Sequence, residues 1–155
     1  MGTVSRSAVA LRFGGDDLDP QAISAALGAT PTLAYSKGGA WATPFGKPMV
    51  GRTGLWNLYT ADRAPADLDG QIAELLAPLT LDLAVWRDLS VRYDGELFVA
   101  LFMTTDNGLA AAKNFNEGLP IEAPTLAAIA ARGLRLDFDI HAGGDVASRG
   151  ESRTQ

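Results

Sequence analysis

From Leu68 to Tyr93 the apolar residues Leu68, Ile72, Leu75, Leu76, Leu79, Leu83, Trp86 and Leu89 recur mostly at intervals of three and four, the spacing that stacks side chains on one helical face. A stripe this apolar has to be covered, so the rest of the chain must supply a surface for it. Pro78 interrupts it. Proline lacks the amide hydrogen and crowds the preceding turn, so the segment is expected to kink there or to form two consecutive helices. The covering surface is read from segments with a period of two. Between Ser7 and Phe13, Val9, Leu11 and Phe13 alternate with smaller or polar residues, and Gly14-Gly15 ends the run. From Leu55 to Thr60, Leu55, Asn57 and Tyr59 oppose Trp56, Leu58 and Thr60. Leu97 to Met103 is nearly continuously apolar, as in a central strand covered on both faces or deeply buried on one. Leu134 to His141 sets Leu134, Leu136, Phe138 and Ile140 against Arg135, Asp137, Asp139 and His141, so one edge of the sheet is expected to meet water.

Two shorter helices complete the pattern. Asp19 caps a helix that starts with Pro20, buries Ile23, Ala26 and Leu27, and stops at Gly28. The second starts at Pro124, places Leu126, Ile129 and Ala130 on one face, and is capped by Gly133. After Thr30-Pro31 a short extended piece runs through Tyr35. Gly38 to Gly54, with five glycines, two prolines and no periodicity, reads as a long loop. Asn107-Gly108 has hairpin-turn chemistry, with a weak strand from Leu109 to Lys113. Strands and helices do not alternate regularly, so the fold expected is α+β: one domain with a mostly antiparallel sheet packed against helices. Residues 1–6 read as an extension, 7–141 as the domain and 142–155 as a polar, flexible tail.

Composition removes whole classes of function. A chain of 155 residues, 47% hydrophobic and 20% charged, has the make-up of a single globular domain. No apolar run approaches the roughly eighteen residues of a membrane span, and no signal pattern opens the chain, so a cytoplasmic protein without membrane contact is expected. The absence of cysteine eliminates disulfides, thiolate metal sites and cysteine nucleophiles. A net charge of −5 opposes nucleic-acid binding.

Chemistry-bearing residues are sparse. Asp16, Asp17 and Asp19 resemble a hard-cation cluster, but no EF-hand loop completes it and a helix cap explains the same residues. His141 is the one histidine, and it shares a strand face with Asp137 and Asp139, neighbours roughly 6.5 to 7 Å apart along a strand and too wide for compact chelation. No nucleophile elbow, phosphate loop, dinucleotide fingerprint or zinc-protease helix occurs. No catalytic residue, metal site or cofactor is therefore assigned. The stretch Ala34 to Ala61 is different, holding Lys37, Lys47 and Arg52, the rings of Tyr35, Trp41, Phe45, Trp56 and Tyr59, and no acidic residue. Cations, stacking faces and glycine backbone together suit an anionic or planar ligand. Tyr35, Lys37, Trp41, Arg52 and Trp56 are the candidate binding residues. A plain loop folded over the sheet, with Trp41 and Phe45 as core, is the competing account.

Several phrases in order, Phe13-Gly14 to Asp19-Pro20, Ile23 to Gly28 with Thr30-Pro31, Lys37-Gly38, Gly54-Leu55-Trp56, Leu97-Phe98-Val99 to Phe102, and Gly133 to Ile140, resemble a bacterial family known as domain of unknown function 4279. The resemblance runs from Val9 to His141. It implies a small bacterial α+β domain and no established activity, cofactor or catalytic residue. Three functions are compatible with the sequence. The foremost is a noncatalytic module that binds a protein or a small anionic ligand, one form of which, by analogy, is an immunity-like partner of a toxin. The second is a metal-assisted or His-dependent hydrolase using His141 with Asp137, Asp139 or the Asp16 to Asp19 cluster. The third is a structural subunit that pairs by a sheet edge into a homodimer.

Overall fold

The computed structural model describes residues 3–104 and 118–142. Strand β1 (Thr3–Gly15) is the centre of a five-stranded sheet. It pairs antiparallel with β5 (Gly54–Tyr59) on one side and with β6 (Glu96–Thr104) on the other. Beyond β5 lies β2 (Leu33–Tyr35), and beyond β6 lies β7 (Arg135–His141), giving the order β2-β5-β1-β6-β7. β1 begins at Thr3, ahead of the alternation that marks it in the sequence. Between Val4 and Arg6 its register with β6 slips, a bulge that leaves Ser5 unpaired.

The register explains the core. Leu11 lies opposite Leu58 and Leu97, Phe13 opposite Trp56, and Val9 opposite Val99, so one face of three strands is continuously apolar. Against it pack α1 (Pro20–Leu27), α2 (Leu68–Leu76), α3 (Leu83–Arg92) and α4 (Ala123–Ala131). Ile23, Leu27, Leu68, Ile72, Trp86 and Ile129 join the strand residues in one cluster. Each fully buried side chain of this kind contributes about 1.5–3 kcal/mol. The long apolar stripe becomes two helices, with Pro78 in the break and Asp82 restarting the chain by accepting from the Ala84 and Val85 amides. Trp86 is buried there, its indole N–H donating to the Thr80 carbonyl at 2.7 Å. Asp19 and Gly28 cap α1 as the sequence requires.

Two readings need correction. In α4 the inward residues are Thr125 and Ile129, while Leu126 is exposed; the helix is rotated because alanines on every side leave its apolar face ill defined. The long loop from Gly38 to Gly54 is a second, two-stranded sheet of β3 (Ala40–Ala42) and β4 (Pro48–Val50). The main sheet is mostly antiparallel, as expected, and β7 pairs parallel with β6, so helix α4 is the crossover of one parallel unit. The Asn107-Gly108 hairpin and the weak strand after it lie outside the described residues, as does most of the 142–155 tail.

A buried polar clip ties the segment after β5 to β1. Ser7 and Gln71 are both buried. Ser7 Oγ donates to Gln71 Oε1 and accepts the Asp67 amide at 3.3 Å, while Gln71 Nε2 donates to the carbonyls of Ser7 at 2.9 Å and Ala61 at 3.1 Å.

Candidate functional site

β2 and β5 continue into β3 and β4 as one ribbon. Tyr35 pairs with Leu55, the Gly38 amide donates to the Gly51 carbonyl at 2.8 Å, the Gly51 amide donates to Gly39 at 2.9 Å, and Trp41 then pairs with Met49. The tip is a turn in which Thr43 and Lys47 exchange bonds and Gly46 takes a φ of 81°. Glycine and short strands hide the period of two, which is why the stretch looks like a loop in sequence. Gly51 is demanded by packing, because a Cβ there would lie 2.5 Å from the Tyr35 ring.

The structure separates the five candidate residues. Tyr35 and Trp41 stack with centroids 5.3 Å apart and planes 8° from parallel. Lys37, on the bend between them, donates to Asp16 Oδ2 at 2.8 Å. That bond is the main reason the Asp16 carboxyl is held below its ordinary range and Lys37 above its own. Arg52 is exposed in the bend between β4 and β5. Trp56 departs from the group: at 0% exposure it is core, edge-on to Phe13 at 5.9 Å, with its indole N–H donating to Ser24 Oγ at 3.0 Å. It sits on the covered face of β5 because its register partner is Phe13. Phe45 occupies the ribbon tip at 99% exposure, so it is not core. Lys47 and Arg52 have no salt-bridge partner among the described residues.

The acidic cluster is divided among structural tasks. Asp19 accepts from the amides of Gln21 and Ala22, and Asp16 takes Lys37. Among the described residues no group of three or more histidines and carboxylates converges on a point. His141 does reach Asp139, Nε2 to Oδ2 at 2.9 Å, closer than strand spacing suggests because both side chains bend together. It stacks on Phe102 at 4.8 Å, and no described serine or threonine hydroxyl bonds to it.

The face of the sheet opposite the helices carries a second arrangement, which the sequence reading did not single out. The residues that alternate with the β1 core positions are Arg6, Ala8, Ala10 and Arg12. Arg6 lies over the Phe102 ring at 3.9 Å and Arg12 over Phe98 at 3.7 Å. Between the arginines a depression of about 330 Å³ is lined by Ala8, Ala10, Arg12, Tyr59, Asp62 and Phe98, among others. Asn57, paired with Arg12 in the register, is 4% exposed and donates Nδ2 to Tyr59 Oη at 2.8 Å. Its Oδ1 and the Arg12 Nε are buried without partners. Arg132 also has a buried unpartnered Nε, but its Nη1 bonds the Ala128 carbonyl at 3.0 Å and it lies at the end of α4 near Trp86.

A two-layer α+β domain with helices on one sheet face and a projecting aromatic ribbon is the class these features define. The chain belongs to the family described as "domain of unknown function (DUF4279)", whose model matches residues 4–143. No curated protein and no solved structure matches the chain. Among the described residues no helix is long and apolar enough to cross a membrane.

Proposed function

We propose that this protein is a noncatalytic binding module whose β3–β4 ribbon docks on a protein partner. The observation that carries the reading is Phe45, a ring held at 99% exposure on a hydrogen-bonded tip. Burying such a side chain in a partner's cleft contributes about 1.5–3 kcal/mol, a strong incentive for association. The Tyr35–Trp41 stack stiffens the base of the ribbon, so little ordering is required on binding. Lys47 at the tip and Arg52 at the base of the ribbon lie in a stretch without a carboxylate, which selects a partner with an acidic rim around an apolar pocket.

The test compares the wild type with a Phe45→Ser, Lys47→Glu, Arg52→Glu variant by native mass spectrometry after gentle purification from the native host. A heteromeric mass present for the wild type and lost in a variant of unchanged melting temperature supports the ribbon. Equal recovery of the partner by both proteins refutes it. A second reading is favoured by β7, an edge strand that leaves Phe138 and Ile140 exposed: pairing of two copies along that edge. The same spectra decide it, since self-pairing gives a doubled mass that the ribbon variant retains.

A further inference from the structure

We propose that the depression over Ala10 is a binding site for a small, flat carboxylate, anchored by Arg12 and flanked by the rings of Tyr59 and Phe98. The site lies away from the ribbon tip and stands or falls independently of it. Its shape follows from register. Tyr59, Ala10 and Phe98 form one row across β5, β1 and β6. Neighbouring strands are about 4.8 Å apart, so the two ring-bearing residues stand roughly 10 Å from each other with only a methyl between them. That gap admits a planar group alongside either ring. Ala8, opposite Ala100, extends the low floor. A volume of about 330 Å³ falls within the range of about 300–1,000 Å³ typical of small-ligand sites.

Its polarity follows from Arg12. The guanidinium is held by stacking on Phe98 and makes no hydrogen bond among the described residues. Its nearest carboxylate, Glu96, stands 3.7 Å from Nη1, too far for a hydrogen bond, and is already engaged by Arg135 at 2.6 Å. The two Nη nitrogens of the fork are therefore presented at a wall one third exposed, while Nε itself is buried. Arg6, at the opposite end, is taken by Asp62 at 3.2 Å, which places the acid group at the Arg12 end. Tyr59 accepts from Asn57 and so keeps its own O–H proton to donate. A carboxylate answers the planar fork of Arg12 in bidentate fashion and the hydroxyl of Tyr59 with a remaining lone pair.

The experiment titrates the full ¹⁵N-labelled chain with benzoate and, separately, with benzamide, its neutral isostere. Expected are saturable shifts centred on residues 8–12, 57–60 and 98–100, with benzamide and the Arg12→Gln variant each binding at least about tenfold more weakly. Ala10→Leu fills the floor and abolishes saturation. Absence of saturable shifts in the wild type at millimolar benzoate overturns the proposal, as do shifts centred elsewhere or affinity unchanged by both substitutions. The wild-type shift map decides even if a variant fails to fold.

Discussion

Trp56 and Phe45 belong to the same aromatic, basic stretch, yet the structure assigns them opposite energetic roles. Replacing Trp56 with alanine removes a side chain of zero exposure from between Phe13 and α1, along with the indole bond to Ser24. A buried aromatic of about 200 Å², at about 25 cal/mol per Å², represents about 5 kcal/mol of transfer free energy. Partial collapse of the surroundings into the cavity and the retained Cβ keep the net within the usual range of about 3–5 kcal/mol for such truncations. For a domain of this size about 2–4 °C of melting temperature accompanies each kcal/mol, so Trp56→Ala should melt about 6–20 °C lower. Phe45→Ala removes a ring that touches almost nothing and should stay within about 0.5 kcal/mol, or about 2 °C. Differential scanning calorimetry with far-ultraviolet circular dichroism measures both without relying on tryptophan emission. Similar losses for the two variants would show that the ribbon tip folds back onto the domain, and would remove the basis for reading Phe45 as a contact residue.

Other outcomes follow from the same geometry. Gly51→Ala should push the Tyr35 ring off Trp41, visible as a changed near-ultraviolet dichroism signal with the helical far-ultraviolet signal intact; an unaltered near-ultraviolet spectrum refutes the packing described. Gln71→Leu strands the Ser7 and Ala61 carbonyls and should cost about 1–3 kcal/mol in urea unfolding, with part of that loss absent when Ser7 is already alanine. Because Lys37 depresses the Asp16 pKa, their bond stabilises the folded chain above the ordinary aspartate range and is lost as pH falls through the lowered value. The Asp16 carboxyl carbon, followed by NMR, should therefore titrate below its usual range in the wild type and move back up in Lys37→Ala.

Much of the covered half of the sheet was legible because it depends on periodicity. Val9, Leu11 and Phe13 alternate over a run long enough to be recognised, and Leu68 to Leu89 repeat often enough to define helices on either side of Pro78. Asp19-Pro20 and Gly28 are local chemistry and need no tertiary context. The ribbon was obscured because β3 and β4 each span three residues, below the length at which a period of two can be seen. Trp56 shows the reverse limitation. Its composition marked it as a ring near cations, but only its pairing with Phe13 decides that it faces inward. Arg12 was overlooked for a related reason: the alternation that located β1 was used for its apolar half, while the other half, Ala8, Ala10 and Arg12, forms the depression. His141 and Asp139 met although strand spacing alone would keep them apart, since side chains can lean along a strand.

The unpaired Ser5 of β1 changes how the two halves of that strand are to be read. From Ser7 to Phe13 the odd-numbered residues face the helices, yet Val4, an even-numbered one, packs against the core cluster. The bulge therefore acts as a frame shift within a single strand, returning the first residues to the covered side after the parity would have turned them outward. Ser5 bonds the Phe102 carbonyl at 3.0 Å, which holds the extra residue in place. Deleting Ser5 would close the bulge and leave Val4 on the covered side, whereas pairing Ser5 into a regular ladder would turn Val4 outward beside Arg6; neither change reaches the depression at the other end. Insertions and deletions in this strand are thus selective: their consequence depends on which side of Ser5 they fall.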